Sequence, residues 1–166
     1  NLVRLRTFSK IYGLAALRVG YGVARPELIE AFSSLRQPFN VGTIAQAAAT
    51  AALDDHGFVE RSLELNRSEK VRLQRYLDRM HLPHYPSEAN FVCVDLSGVR
   101  GGESDAATSV GGAEAVIAGL RERKVTVRPL ASFGMPERVR ISIGTTGDMD
   151  ALYEALGSIL GAAPAG

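Results

Sequence analysis

The sequence is poor in the residues that build metal centres, disulfides and membrane spans. Its one cysteine, Cys93, permits no internal disulfide, which fits a reducing compartment and points to the cytoplasm. That cysteine lies in the apolar run Phe91-Val92-Cys93-Val94, where a buried strand position outweighs a reactive thiol. The three histidines, His56, His81 and His84, are not spaced as metal ligands and gather no carboxylates in sequence, so no metal is expected. No apolar run approaches the ~20 residues that a membrane-spanning helix needs. Net charge is also lacking: 19 basic and 18 acidic residues leave +1, which gives no reason to expect nucleic acid or an anionic membrane as a partner.

What remains is an ordinary globular composition, 46% hydrophobic over 166 residues, enough for one domain or slightly more. Residues 2–7 and 17–24 read as strands separated by at most a short helical turn. Two strands do not make an independently stable sheet, so further strands are expected upstream of Asn1. Arg25-Pro26-Glu27 starts a helix carrying Leu28, Ile29, Phe32 and Leu35. A second helix from about Thr43 places Ile44, Ala47, Ala48 and Ala51 at i, i+3, i+4 and i+7. After the break at 54–57, a third runs from about Phe58 to Met80, with Val59, Leu63, Leu73, Leu77 and Met80 on its apolar positions. Its charges interleave by sign without an aromatic platform, which reads as a solvated face rather than a nucleic-acid surface.

Residues 90–95 form a strand, and 97–112, with five glycines, a flexible loop that matches neither nucleotide fingerprint. Ala113, Val116, Ile117 and Leu120 mark a helix, 125–128 and 139–143 two strands, and Met149 to Leu160 a last amphipathic helix. The order strand, helix, strand, strand, helix gives an α/β sandwich.

The chemistry concentrates at Thr7-Phe8-Ser9-Lys10. A lysine at a strand end, flanked by hydroxyls and followed eight residues later by Arg18, suits capture of an aldehyde that carries a phosphate. A lone Ser-Lys pair would be a solvent-exposed turn, and hydroxyls are common turn formers. The full context resembles the cofactor-lysine motif of fold-type I pyridoxal-phosphate aminotransferases. The wording TFSKIYGLAALRVGYG is most similar to the histidinol-phosphate aminotransferase branch. The resemblance continues through Arg36-Gln37-Pro38-Phe39-Asn40-Val41, Ala89-Asn90-Phe91-Val92, Val127-Arg128-Pro129 and Arg140-Ile141-Ser142-Ile143-Gly144-Thr145.

The resemblance implies the C-terminal part of that fold. Residues 1–40 would be a remnant of the cofactor-binding large domain, 41–82 linking helices, and 83–166 the small α/β sandwich domain. It implies pyridoxal 5'-phosphate as cofactor, Lys10 as the catalytic amine, and Thr7, Ser9 and Arg18 as its phosphate grip. Arg140 would bind the substrate α-carboxylate and Arg128 the substrate phosphate, where the plain alternative for each is a strand-edge arginine in solvent. Glycines 13, 20 and 22 would serve close packing there, and Tyr12 and Tyr21 line either the cofactor or the core.

The implied reaction is transamination between histidinol phosphate and 2-oxoglutarate in histidine biosynthesis, an amino donor and a 2-oxo acid acceptor meeting on a homodimer. Aromatic amino-acid aminotransferases and a threonine-phosphate decarboxylase branch share much of the wording, and a catalytically inactive domain fragment is a further alternative. Ala16 and Gly42 depart from the family's commoner residues. The family's groups that hold the cofactor ring all lie upstream of Asn1, so the 166-residue piece alone is expected to turn over little or no substrate.

Overall fold

The computed structural model describes residues 2–99 and 112–161, so most of the glycine-rich stretch 97–112 and the tail beyond Gly161 lie outside the described residues. The chain divides into two units, Asn1–Glu64 and Leu65–Gly166. The division falls inside a long helix, within the 41–82 segment.

In the first unit β1 (Arg4–Thr7) pairs antiparallel with β2 (Gly20–Val23), Thr7 opposite Gly20 and Arg4 opposite Val23. A Cβ at Gly20 would stand 2.7 Å from the Arg6 carbonyl oxygen, so only glycine allows this approach. All eight residues of the ribbon are exposed, as a two-stranded ladder without a partner layer must be. Pro26 at the first position and Glu27 in the first turn start α1 (Pro26–Leu35). Helix α1 buries none of its residues. Ile29, Phe32 and Leu35 instead line an open apolar groove of about 740 Å³ with Val3 and Leu5.

Helix α2 (Thr43–Asp54) supplies Ala45 and Ala49 to a small core with Phe8 and Val19. That stripe differs from the one the periodicity predicts, since Ile44 is 79% exposed and Ala47 and Ala51 are exposed too. Alanines on every side of α2 make its faces nearly equal in hydrophobicity. The buried face is then the one whose methyl groups fit closest to Phe8. Asp55 breaks the helix and its Oδ1 accepts the Phe58 N–H at 2.9 Å, which caps the start of α3 (His56–Arg79).

In the second unit β3 (Phe91–Asp95), β5 (Arg138–Ser142) and β4 (Arg128–Pro129) form an antiparallel sheet in the order β3-β5-β4. The alternation of each long strand decides its two faces. Val92, Val94, Val139 and Ile141 are buried against α4 (Gly112–Glu122), α5 (Thr146–Leu160) and the later turns of α3. Leu73 and Leu77 of α3 have no exposed surface, and each contributes roughly 1.5–3 kcal/mol by burial. Phe91, Cys93, Asp95, Arg138 and Arg140 stand on the opposite face. The result is a two-layer α/β sandwich with its helices on one side.

The predicted strand 125–128 shrinks to Arg128–Pro129 because Val125 N–H is taken by the Leu120 carbonyl as α4 ends. Two polar devices fix α5. Thr145 and Asp148 exchange hydrogen bonds in a capping box. Buried Glu69 accepts from Thr146 Oγ1 at 2.7 Å and pairs with Arg72 at 3.3 Å, while Arg72 also pairs with Asp150. Among the described residues no helix is long and apolar enough to cross a membrane, and no group of three potential metal ligands occurs.

Candidate functional site

Thr7 is the last residue of β1, and the chain then turns sharply. Thr7 Oγ1 accepts the Ser9 N–H at 3.0 Å, and Gly13, at φ +69°, closes the turn with a 2.9 Å bond to the Lys10 carbonyl. Phe8 anchors it: the side chain is buried between Tyr12 and Tyr21, with ring centroids at 4.9 and 5.6 Å. Tyr12 and Tyr21 therefore pack on this anchor. Phe8 N–H donates to the Val19 carbonyl at 3.3 Å, and its own carbonyl accepts from Leu14. Next to that bond, Ser9 follows Phe8 in the turn after β1, and Arg18 precedes Val19 in the turn that leads into β2.

Thr7, Lys10 and Arg18 are exposed and Ser9 is half-buried. Arg18 closes the 3-10 turn Ala15–Leu17 in the left-handed conformation, φ 50° and ψ 48°. Its guanidinium bonds the Ala15 carbonyl at 2.8 Å. A non-glycine residue there costs about 1–2 kcal/mol, and such strain concentrates where a side chain must be aimed. Two hydroxyls, an amine and a guanidinium on one short ribbon end make a donor set suited to a phosphate dianion and to an aldehyde. These residues fit pyridoxal 5'-phosphate.

The second constellation is the open face of the β3-β5-β4 sheet. Arg138 is already engaged: its Nε donates to Asp95 Oδ2 at 3.0 Å and its guanidinium lies over Tyr85 at 5.2 Å. Hydrogen bonds from Ser97 first, and then Arg138, hold the Asp95 carboxyl below the usual aspartate range. Arg140 is different. It stands opposite Cys93 on one side and Arg128 on the other, and neither Arg128 nor Arg140 forms an ion pair among the described residues. Arg140 Nε is buried without a hydrogen-bond partner among the described residues. Like charges set directly across a ladder destabilise it, unless an anion lies between them.

Cys93 is on a strand as its sequence context implies, but half-buried on this open face, and burial pushes its thiol up. The rings beneath the arginines, Phe91 under Arg140 at 4.9 Å and Phe133 under Arg128 at 5.4 Å, escaped the sequence reading. The alternation of Phe91, Cys93 and Asp95 carried a signal for the first. Nothing in the sequence marked the second.

The chain is similar to curated histidinol-phosphate aminotransferases over nearly its whole length. The protein of that name from Geobacillus thermodenitrificans is 44% identical over 160 residues, covering 96% of this chain and 40% of the relative. One from Ralstonia nicotianae is 46% identical over 165 residues, 99% of this chain and 41% of the relative. The chain thus spans about two-fifths of the length of these relatives. A crystal structure of histidinol-phosphate aminotransferase from Sinorhizobium meliloti in complex with pyridoxal-5'-phosphate superposes with a TM-score of 0.76 at 32% identity, over 96% of this chain and 41% of that one. Residues 1–156 match the model of the aminotransferase class I and II family, and the chain belongs to that family, as a part of its fold-type I architecture.

Proposed function

We propose that the protein to which this chain belongs is a pyridoxal-phosphate-dependent aminotransferase acting on histidinol phosphate and 2-oxoglutarate. The observation that carries this reading is the pair Arg128 and Arg140, two cations set directly across the ladder that form no ion pair among the described residues. Histidinol phosphate carries a phosphate and no carboxylate, whereas its co-substrate glutamate carries two carboxylates. A site serving both in turn needs two guanidiniums free of internal partners.

When bound, pyridoxal 5'-phosphate supplies an aldehyde for covalent capture and a ring that draws electrons from the substrate's α-carbon. Lys10 presents the amine that captures it and later carries a proton at the α-carbon. Thr7, Ser9 and Arg18 hold the phosphate, and Arg18 accepts backbone strain to do so. Arg140 binds the α-carboxylate of glutamate and Arg128 the phosphate of histidinol phosphate. Residues 1–40 belong to the large domain, 41–82 link, and 83–166 form the small domain. A homodimer in the cytoplasm completes the proposal, supported by the open apolar face of α1 and by the absence of any disulfide from a one-cysteine chain.

Kinetics on the full-length protein test it. Histidinol phosphate is expected to be the preferred amino donor to 2-oxoglutarate over phenylalanine, and Lys10→Ala to abolish both turnover and the absorbance band of cofactor joined to the lysine. A preference for phenylalanine, or turnover by Lys10→Ala, would overturn it.

A further inference from the structure

Phe91 opens β3 in register with Ser142 and shares a face with Cys93, whose cross-strand partner is Arg140. Its ring lies on the diagonal from Arg140, with the guanidinium carbon 4.9 Å from the ring centroid. Arg140 Nε is buried, closed to water, and has no hydrogen-bond partner among the described residues. The main chain beneath Phe91 is pinned on both sides. Ser87 Oγ donates to the Phe91 carbonyl and accepts the Ala89 N–H at 3.1 Å, and the Ile143 N–H donates to the Asn90 carbonyl at 2.9 Å.

Two forces act on that guanidinium before any ligand arrives. Arg128, directly across the ladder, repels it. The face of the Phe91 ring attracts it, and does so more strongly for being partly shielded from water. Without the ring, repulsion and side-chain entropy would carry Arg140 outward, and a carboxylate would have to order it on binding.

We propose that Phe91 is a positioning residue: it holds Arg140 with its terminal nitrogens presented to a carboxylate. The proposal rests on the reading of Arg140 as the carboxylate-binding arginine. It gives a role to the aromatic residue of the Ala89-Asn90-Phe91-Val92 segment, which makes no contact of its own with substrate in this scheme.

The test is steady-state kinetics of the full-length holoenzyme with glutamate and, separately, histidinol phosphate. Phe91→Leu is expected to raise KM for glutamate about fivefold to tenfold, with a smaller change in kcat and KM for histidinol phosphate within about twofold. Phe91→Tyr, which restores a ring, is expected to return the glutamate KM to within about twofold of wild type. Should Phe91→Leu fold poorly, Phe91→Met replaces it, filling the space without an aromatic face. A glutamate KM unmoved by either ring-less variant, while Arg140→Ala raises it tenfold or more, would sink the role of Phe91 and leave that of Arg140 standing. Equal losses for both substrates would mark Phe91 as structural only and overturn the proposal. An Arg140→Ala enzyme with unchanged glutamate KM would remove the reading beneath it.

Discussion

Arg128 and Arg140 are direct cross-strand partners in the β4–β5 ladder, and among the described residues neither forms an ion pair. An anion held between them is therefore expected to stabilise the sheet. With cofactor bound at the proposed Lys10 site, inorganic phosphate at ten times its Kd is expected to stabilise the fold by about 1.4 kcal/mol. Arg128→Ala should lose that gain. Thermal unfolding with and without phosphate measures it, and an undiminished gain in the variant would contradict this role for Arg128.

Arg18 sets stability against function. Replacing it with glycine relieves left-handed strain of about 1–2 kcal/mol, less the extra freedom that glycine gives the unfolded chain. The cofactor-free Arg18→Gly protein is expected to be about 0.5–1 kcal/mol more stable to denaturant. Its affinity for pyridoxal 5'-phosphate should fall at least about tenfold. Cofactor titration beside urea unfolding decides the matter, and a variant that binds as tightly as wild type would count against Arg18 as the phosphate cation.

Acid sensitivity should trace to Asp95. Its folded pKa lies below the ordinary 3.8, chiefly through Ser97 and then Arg138. A depressed carboxylate adds stability that is present above the unfolded value and is lost as pH falls through the folded one. Stability should therefore decline below about pH 4, and less steeply in Asp95→Asn. Asp148, lowered in the same direction by its bonds with Thr145, keeps some of the slope in that variant. Denaturation midpoints between about pH 2 and 6 provide the measurement, with an unaltered slope in Asp95→Asn as the refuting result.

Much of the small sandwich is legible in sequence because its signals are local. Val139 and Ile141 alternate with Arg138 and Arg140, so the faces of β5 follow from the pleat alone. Leu152, Tyr153 and Leu156 keep a helical period that leaves α5 one way to lie. The motif at Thr7 to Lys10 is likewise short and contiguous. Other features depend on partners far along the chain. Nothing near Ile44 says that it faces outward while Ala45 turns in, since packing against Phe8 chooses between near-equal faces. Val125 looks like a strand residue until α4 claims its N–H. Arg128 and Arg140 are twelve residues apart, and only the register shows them opposed. The ring of Phe133 reaches Arg128 through a 3-10 turn, Ala131–Phe133, that has no periodic signature.

The engagement of Arg138 by Asp95 also bears on how such a sheet can diverge. Three arginines share one face, but one is withheld from ligands by a single carboxylate on the neighbouring strand. A one-base change turning Asp95 into asparagine would release that charge without touching the backbone or the core. The face would then offer a third anion position, one pleat along from Arg140. Anion selection on this face is thus open to drift through a residue that makes no ligand contact in the proposed scheme.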